Sequence, residues 1–498
     1  MKKYISTMTL IVFCSLGILI FPILVYAETP VSDLSTEQGQ AVALDIELNC
    51  EQTPDLSRLL DHSMNTKTSL SSNVTLTITS DQPMSGIYII WDKPCSEWTL
   101  DYNGIKTTMG THGYLHEYVS LPEPATCCSI TPSREEAICE IQAFSAGTLP
   151  DDVEVWEPPC EQADILVFST HADDEILFLG GVLATYAGEQ KLNVQVVYLT
   201  NYWNSTRIRE HEKLDGLWAS GVHNYPVNGT FDDLYSKSLE QAMQTYHYEE
   251  ILKFIIDEIR QFQPLICVTQ DTNGEYGHGG HQILAKAVME ATTQSMNVDI
   301  CPESANKYGV WDVPKTYLHL YPEHKIHMNL RLPLNHMGGR TTLDVATAAY
   351  KKHVSQQWCW FYVSDEYEYS CADFGLYRST VGYDSANEMT EHIKTYGQQK
   401  AEQELQTHAR NVTIDLSTAG DHIASIGHET ALQAHDKEVR RTRNCILSIS
   451  ILGGILIIFV GFTFLSHRKG ADIKNLFLKF KHHLLHIYHL HCANHMHH

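Results

Sequence analysis

The hydrophobic pattern of the chain changes near residue 158. Before that point, short segments alternate apolar and polar residues and are separated by turn residues. They are 74–78, 87–91, 98–102, 114–119, 138–144 and 153–156. Several short alternating strands at this spacing are typical of an antiparallel β-sandwich, so we predict a small sandwich domain over 73–157. Its aromatic residues could bind carbohydrate, although such residues more often form the core of a small sandwich.

After Pro158 and Pro159 the apolar residues form continuous runs instead. The predicted strands are 165–169, 194–199, 265–269 and 315–320, and the predicted helices include 175–186 and 248–261. Buried strands that alternate with helices indicate an α/β fold, because a parallel sheet is covered by helices on both faces. We therefore predict a Rossmann-like, mostly parallel sheet flanked by helices over 158–400.

The two ends of the chain contain its most apolar segments. Residues 10–25 follow Lys2 and Lys3 and precede a small-x-small pattern at 25–27, which predicts a signal peptide. Residues 445–465 are apolar without a charge and predict a transmembrane helix. The alternative for the first segment is an uncleaved membrane anchor, and the alternative for 445–465 is a helix buried in a protein core.

These two segments predict a single-pass membrane protein whose ectodomain faces the outside. The remaining predicted divisions are a signal peptide at 1–27, linkers at 28–72 and 401–444, and a cytoplasmic, basic, His-rich tail at 466–498. Most of the 13 cysteines lie between signal and span. Disulfides are expected in an exported segment, and Cys359 with Cys371 is a plausible local pair.

The charge balance restricts the class of partner. The 498 residues include 60 Asp and Glu against 35 Lys and Arg, a formal net charge of −25. Nucleic-acid binding needs a basic face to contact phosphates, so this composition argues against a nucleic-acid partner. The length predicts more than one domain.

Polar clusters follow two of the predicted buried strands. The segment 171–175 (HADDE) comes after the first strand, and 276–281 (YGHGGH) comes shortly after the third. Ligands of open α/β sheets bind beyond the carboxyl ends of strands. His171, Asp174 and His281 would supply the imidazole and carboxylate ligands of a catalytic zinc ion, with one position left open. Other divalent transition metals also suit this set.

These motifs resemble the deacetylases related to N-acetylglucosaminyl-phosphatidylinositol de-N-acetylase, the LmbE-like or PIG-L-type family. The family pattern is HPDDE, RxxE and YGHxxH, and this chain has HADDE at 171–175, REHE at 209–212 and YGHGGH at 276–281. The resemblance covers roughly 163–300. Ala172 stands in place of the usual proline, and Gly279-Gly280 stand in place of the frequent Pro-Asp.

The resemblance implies zinc-dependent hydrolysis of the acetamide of an N-acetylglucosamine-type sugar in a glycan or glycolipid. It implies that the three ligands named above hold the metal and that Asp173 is the general base. His278 would protonate the departing amine or stabilise the tetrahedral intermediate. Tyr276 would donate a hydrogen bond to the oxyanion, and Arg209 would bind the sugar.

Two other functions compete with this hypothesis. The chain could be a cell-surface glycan-binding protein or adhesin whose deacetylase-like domain is inactive. A nucleotide-binding Rossmann domain is disfavoured, because the first turn has HADDE where a phosphate cradle needs GxGxxG.

Overall fold

The computed structural model contains two seven-stranded sheets. It describes residues 39–52 and 55–425, with side chains through residue 410. Both sheets belong to a unit that extends to Gln399, and a second unit begins at Lys400.

The first sheet is antiparallel. The strand pairings join its strands in one sheet, and the sandwich arrangement stays a prediction. Its strands are β1 Glu47–Asn49, β2 Thr68–Leu70, β3 Leu76–Trp91, β4 Trp98–Tyr102, β5 Ile105–Met109, β6 His116–Pro132 and β7 Glu136–Phe144. Their order is β2-β7-β3-β6-β4-β5, and β1 pairs with β3. The strands β1 and β2 lie within the segment predicted to be a linker, and 153–156 forms no strand.

The long strands β3 and β6 shift register between Thr79 and Met84 and again before Gly86. The first half of β3 pairs with β1, and its second half pairs with β7. Register shifts of this kind bend a strand and increase its twist. Two segments that alternation predicts as separate strands, 74–78 and 87–91, therefore become one strand.

The second sheet is mixed. Its strands are β8 Ile165–Ser169, β9 Val194–Asn201, β10 Val227–Asp232, β11 Ile266–Thr269, β12 Lys315–His319, β13 Lys325–His327 and β14 Asp373–Ser379. Their order is β10-β9-β8-β11-β12-β14-β13. The first five strands in that order run parallel to one another, whereas β14 pairs antiparallel with both of its neighbours, β12 and β13. The carboxyl ends of the parallel strands therefore lie at one edge of the sheet.

The helices that accompany the second sheet range in length from 3 to 16 residues. They are α1 Asp174–Leu177, α2 Gly180–Val182, α3 Ile208–Ser220, α4 Leu239–Thr245, α5 Tyr248–Phe262, α6 Gly279–Gln294, α7 Pro302–Tyr308 and α8 Thr342–Tyr350. The predicted helix 175–186 is divided into α1, α2 and a π-helical segment, Leu183–Glu189. At Gly181 an added Cβ would lie 2.3 Å from the carbonyl oxygen of Cys371, so close packing requires glycine there.

Apolar residues of both sheets share one core. Trp91 and Trp98 belong to the same buried cluster as Val167 and Val196. Burial of apolar surface is the main stabilising term in folding, so the two regions are joined by packing as well as by the chain.

The prediction of a single-pass membrane protein is corrected by the structure. In the part of the chain that is described, no helix combines the length and apolar character that crossing a bilayer requires. The longest described helix, α9 Tyr396–Ser425, is polar and includes Lys400, Glu402 and Glu404. The segments 1–27, 445–465 and 466–498 lie outside the described residues.

The predicted local disulfide is also absent. Both Cys359 and Cys371 are free thiols. The Cys359 sulfur lies 3.1 Å from the Tyr350 hydroxyl, and the Cys371 thiol donates to the carbonyl of Ser364 over 3.4 Å.

Candidate active site

The two motifs meet because β8 and β11 are parallel neighbours in the second sheet. The segment 171–175 follows β8, and helix α6 begins directly after His278, beyond the end of β11. At the first turn Asp173 has φ +125°, a conformation that residues with a side chain rarely adopt. Its backbone N–H donates to the Glu175 carboxylate over 2.7 Å, which helps to hold this turn.

The three side chains predicted to bind metal come together. The Asp174 Oδ2 atom lies 2.7 Å from His171 Nδ1 and 3.0 Å from His281 Nε2. The two imidazole nitrogens are 3.1 Å apart. Ligand atoms of a tetrahedral zinc ion, at about 2.1 Å from the metal, are separated by roughly 3.4 Å. The three atoms therefore fit a divalent ion with only small adjustments.

The side chains of this triad shift one another's pKa values. Burial alone raises the pKa of Asp174, but His281 and His171 outweigh it and hold the pKa well below its usual range. Burial lowers the pKa of each imidazole, yet the carboxylate contacts raise the pKa of His171 to about 9 and that of His281 to about 10. The carboxylates that raise these values would also attract a metal cation, but a metal binds only neutral imidazoles, so its binding must displace the protons of His171 and His281.

A second layer of acidic residues holds the two imidazoles. The Glu275 carboxylate lies 2.6 Å from His281 Nδ1 and 2.9 Å from His319 Nδ1. The Asp233 carboxylate lies 3.3 Å from His171 Nε2. Carboxylates on the outer nitrogens of histidines orient metal-binding imidazoles. Asp233 directly follows β10, and His319 ends β12, so four parallel strands contribute to this site.

Asp173 lies beside the triad but outside it. Its Oδ1 accepts a bond from the Arg209 guanidinium over 3.0 Å. Burial raises the pKa of Asp173 to about 7, even though Arg209 lowers it, and Asp174 raises it further. Arg209 also lies 3.8 Å from Asp233 and 4.1 Å from the centre of the Tyr202 ring. The predicted sugar-binding arginine thus holds two acidic residues of the site.

His278 caps helix α6 and faces the same pocket. Its Nδ1 accepts the N–H of Gly280 over 3.1 Å, so the proton of a neutral ring lies on Nε2. Burial, followed by the positive charges of His171 and His281, lowers the pKa of His278 to about 3. Nitrogens of His171, His278 and His281 also lie within 4.8 Å of one another. We favour the set with Asp174 because its three atoms are closer together.

The remaining predicted residue, Tyr276, lies at the mouth of the pocket. Its ring is 5.5 Å from the ring of His281 and 5.7 Å from that of His278. Burial and nearby carboxylates, Asp174 first among them, raise the pKa of the Tyr276 phenol, so it keeps its proton and can donate.

The glycines that depart from the family pattern have a packing role. A Cβ at Gly279 would lie 2.2 Å from the carbonyl oxygen of Ser238, and one at Gly280 would lie 3.0 Å from the His278 ring. Contacts below 3 Å force the surroundings to move, so a proline at 279 would not fit this arrangement. The segment 236–238 occupies that space instead.

The pocket around the triad has a volume of about 730 Å³. Its lining contains six of the seven predicted residues, all except the fully buried His281. The other lining residues are Leu177, Phe178, Asp233, Tyr235, Gln356, Trp358, Cys359, Trp360 and Phe361. The tryptophans and Phe361 were not predicted. The run WCWFY at 358–362 is a signal that could have indicated them.

Comparison with known proteins supports the family resemblance. Residues 166–292 match the family model PIG-L, described as GlcNAc-PI de-N-acetylase, which confirms what the motifs indicated. A 1D-myo-inositol 2-acetamido-2-deoxy-alpha-D-glucopyranoside deacetylase of Catenulispora acidiphila is 24% identical over 199 residues, covering 33% of this chain. A deacetylase of the same name from Rhodococcus erythropolis is 25% identical over 180 residues, covering 31%.

The match is partial in length. The chain spans 58% and 59% of these two relatives. Among solved structures, an N,N'-diacetylchitobiose deacetylase from Pyrococcus horikoshii is 16% identical, with a TM-score of 0.29. That match covers 40% of this chain and 72% of the other.

Proposed function

We propose that this chain removes the acetyl group from an N-acetylglucosamine-type sugar in a glycan or glycolipid. The observation that carries the proposal is the convergence of Asp174 Oδ2, His171 Nδ1 and His281 Nε2, at mutual distances of 2.7, 3.0 and 3.1 Å. When bound there, zinc or another divalent transition metal would supply Lewis-acid chemistry for amide hydrolysis.

Asp173 serves as the general base. Hydrolysis adds one water: its oxygen bonds to the acetyl carbon, one proton goes to the amine nitrogen, and the C–N bond breaks. A base must hold a proton transiently, and its pKa is best placed near the working pH. Asp173 is buried beside the triad and is held by Arg209, so it can accept that proton without binding the metal.

His278 and Tyr276 serve as hydrogen-bond donors. The bond from Gly280 to Nδ1 of His278 leaves the Nε2–H available, and its lowered pKa keeps the ring neutral. A neutral ring stabilises a developing oxyanion by donation but is a poor proton source. We therefore favour stabilisation of the intermediate over protonation of the amine as the role of His278, with the Tyr276 hydroxyl as a second donor.

The names of the relatives support the class of substrate. Both curated relatives are deacetylases of an acetamido sugar linked to inositol. The acetamido sugar is the part that would reach the triad. The group linked to that sugar would lie further from the triad, where the pocket is lined by Trp358, Trp360 and Phe361.

The test is the variant Asp173→Asn. Removing the base should reduce acetate release from N-acetylated amino sugars by about 10²–10⁴-fold. The metal content should stay the same, because Asp173 lies outside the triad. Metal analysis and acetate release would be measured together on the purified chain.

Asp174→Asn is the matched comparison, since it should lose both metal and activity. Wild-type activity in Asp173→Asn would reject the base assignment. Glycan affinity without acetate release in the metal-loaded wild type would instead favour the glycan-binding alternative.

A further inference from the structure

Two tryptophans at the mouth of the pocket are unusually exposed. The exposed fraction is 82% for Trp358 and 61% for Trp360. Tyr235, on another side of the same pocket, is 65% exposed. Large aromatic side chains normally bury most of their surface, and exposed apolar groups that border a cavity commonly mark a ligand-binding groove.

Trp360 connects to the metal triad through an unbroken series of aromatic contacts, and Trp358 lines the same pocket. Trp360 stacks on Phe361 at 4.2 Å between ring centres, and Phe361 lies 4.6 Å from Tyr276. Tyr276 in turn lies 5.5 Å from the ring of His281. A sugar that reacts at the triad therefore has further aromatic surface beside it, on the side of the pocket that opens to solvent.

The charges of the pocket disfavour a phosphate group. Among the described residues that line it, Arg209 is the only Lys or Arg. Its guanidinium is already held by Asp173 at 3.0 Å and Asp233 at 3.8 Å. Phosphate recognition depends on Arg or Lys donors that are free to bind it. With Asp174 the pocket contains three carboxylates. A bound divalent ion would offset two of these negative charges, so the pocket would keep no excess of positive charge for a phosphate.

We infer that the pocket accepts an uncharged oligosaccharide of at least two units, with the unit next to the reacting sugar stacked on Trp358 and Trp360. The inference rests on the proposed function for the position of the reacting sugar. It goes further in assigning these two tryptophans as specificity-determining residues and in excluding phosphate-bearing glycolipids as the preferred substrate class.

The test compares ligands of different length. The affinities of N-acetylglucosamine and of its β-1,4-linked dimer and trimer would be measured by calorimetry on the wild-type chain. The same titrations would be made on Trp358→Ala, Trp360→Ala and the double variant. In the wild type, the trimer should bind at least tenfold more tightly than the monomer. In the double variant, that ratio should fall by about tenfold, the size of an aromatic stacking contact.

Tyr383→Ala is the matched control, because Tyr383 is 66% exposed but lies outside the lining of the pocket. It should leave the ratio unchanged. Equal affinity for monomer and trimer in the wild type, or an unchanged ratio in the double variant, would overturn the inference. Tighter binding of N-acetylglucosamine 1-phosphate than of the dimer would overturn the preference for uncharged ligands.

Acetate release, measured in parallel, separates the two proposals. Release that does not depend on ligand length would leave the proposed function standing and remove the subsite. Affinity that rises with ligand length and requires the tryptophans, without acetate release from any ligand, would leave the subsite standing and remove the proposed function.

Discussion

Glu275 directly precedes the motif at 276–281, but the spacing of the motif residues does not reveal what Glu275 contacts. Its buried carboxylate bridges His281 and His319, at 2.6 and 2.9 Å. Burial alone raises the pKa of Glu275, yet the two histidines outweigh it and lower the pKa. Glu275 therefore stays ionised and fixes which nitrogen of His281 faces the triad.

We expect Glu275→Gln to weaken metal binding. An amide cannot provide the negative charge that orients and polarises His281, and loss of such a partner typically costs about 10–100-fold in metal affinity. Competition with a chelator of known affinity measures the change. Glu290→Gln is the control, since Glu290 pairs with Lys286 on helix α6 and lies outside the pocket lining. Unchanged metal affinity in Glu275→Gln would refute the orienting role.

At the level of elements, helix α3 connects the pocket to the antiparallel sheet. It begins next to Arg209, and further along it brings His211 against His116 of β6, with 3.0 Å between ring nitrogens. The other nitrogen of His116 lies 2.8 Å from the carboxylate of Glu154, which also accepts from Trp156. Burial raises the pKa of Glu154 to about 7 and lowers that of His116 to about 4. Between pH 4 and pH 7, Glu154 and His116 are therefore both uncharged, and the contact between them is a neutral hydrogen bond.

This cluster predicts a pH dependence of stability. The folded-state pKa of Glu154, about 7, lies above its ordinary value of 4.5. Its contribution to the free energy of unfolding is therefore complete below about pH 4.5 and is lost as pH rises through 7. Glu154→Gln cannot titrate, so relative to the wild type it should gain about 1–3 kcal/mol between pH 5 and 8. Urea unfolding at the two values of pH measures this difference.

Asp215 hydrogen-bonds Glu154, and burial and Glu154 raise the pKa of Asp215 well above its usual range, so Glu154→Gln reports on this coupled pair of carboxyl groups. The lowered pKa of His116 acts in the opposite sense and removes stability as pH falls from 6.5 towards 4. Glu135→Gln, at an exposed carboxylate, should follow the wild type at both values of pH. Parallel behaviour of Glu154→Gln and the wild type would contradict the assignment.

At the scale of the whole molecule, the antiparallel sheet supports the domain that contains the pocket. Tyr114 stacks on Tyr225 at 4.6 Å, and the Trp218 indole donates to the carbonyl of Asp151 over 2.8 Å. Arg207 pairs with Asp92 across the same boundary. The boundary at 158 is a change of sequence pattern, but the folded chain buries surface across it.

A chain that lacks residues 39–157 should therefore be less stable than one that keeps them. Exposing each large apolar side chain costs about 1.5–3 kcal/mol, and Trp218 and Tyr225 would both lose partners. We expect a lower thermal midpoint and more aggregation, measured by calorimetry and light scattering. Equal midpoints for the two chains would show that the sheet contributes nothing to the stability of the pocket domain.

Much of the second sheet and the centre of the site was predictable, because those signals are local. Buried strands appear as apolar runs, and the polar residues after β8 and near α6 must lie at one edge of a parallel sheet. His171, Asp174 and His281 could be grouped on that basis. The membrane prediction relied on apolar composition at the two ends, which lie outside the described residues, and it is corrected because no helix of the described part is long and apolar enough to cross a bilayer.

What the sequence determined by itself is thus the alternation of strands and helices, the change of pattern near 158 and the residues of the two motifs. Only the tertiary structure shows that Asp233, Glu275 and His319 surround the triad. The same holds for the single long strand β3 and for the position of Trp358 at the mouth of the pocket. The physical reason is that period and composition depend on neighbours along the chain. These contacts depend on how distant segments pack, and packing is decided by the whole buried surface at once.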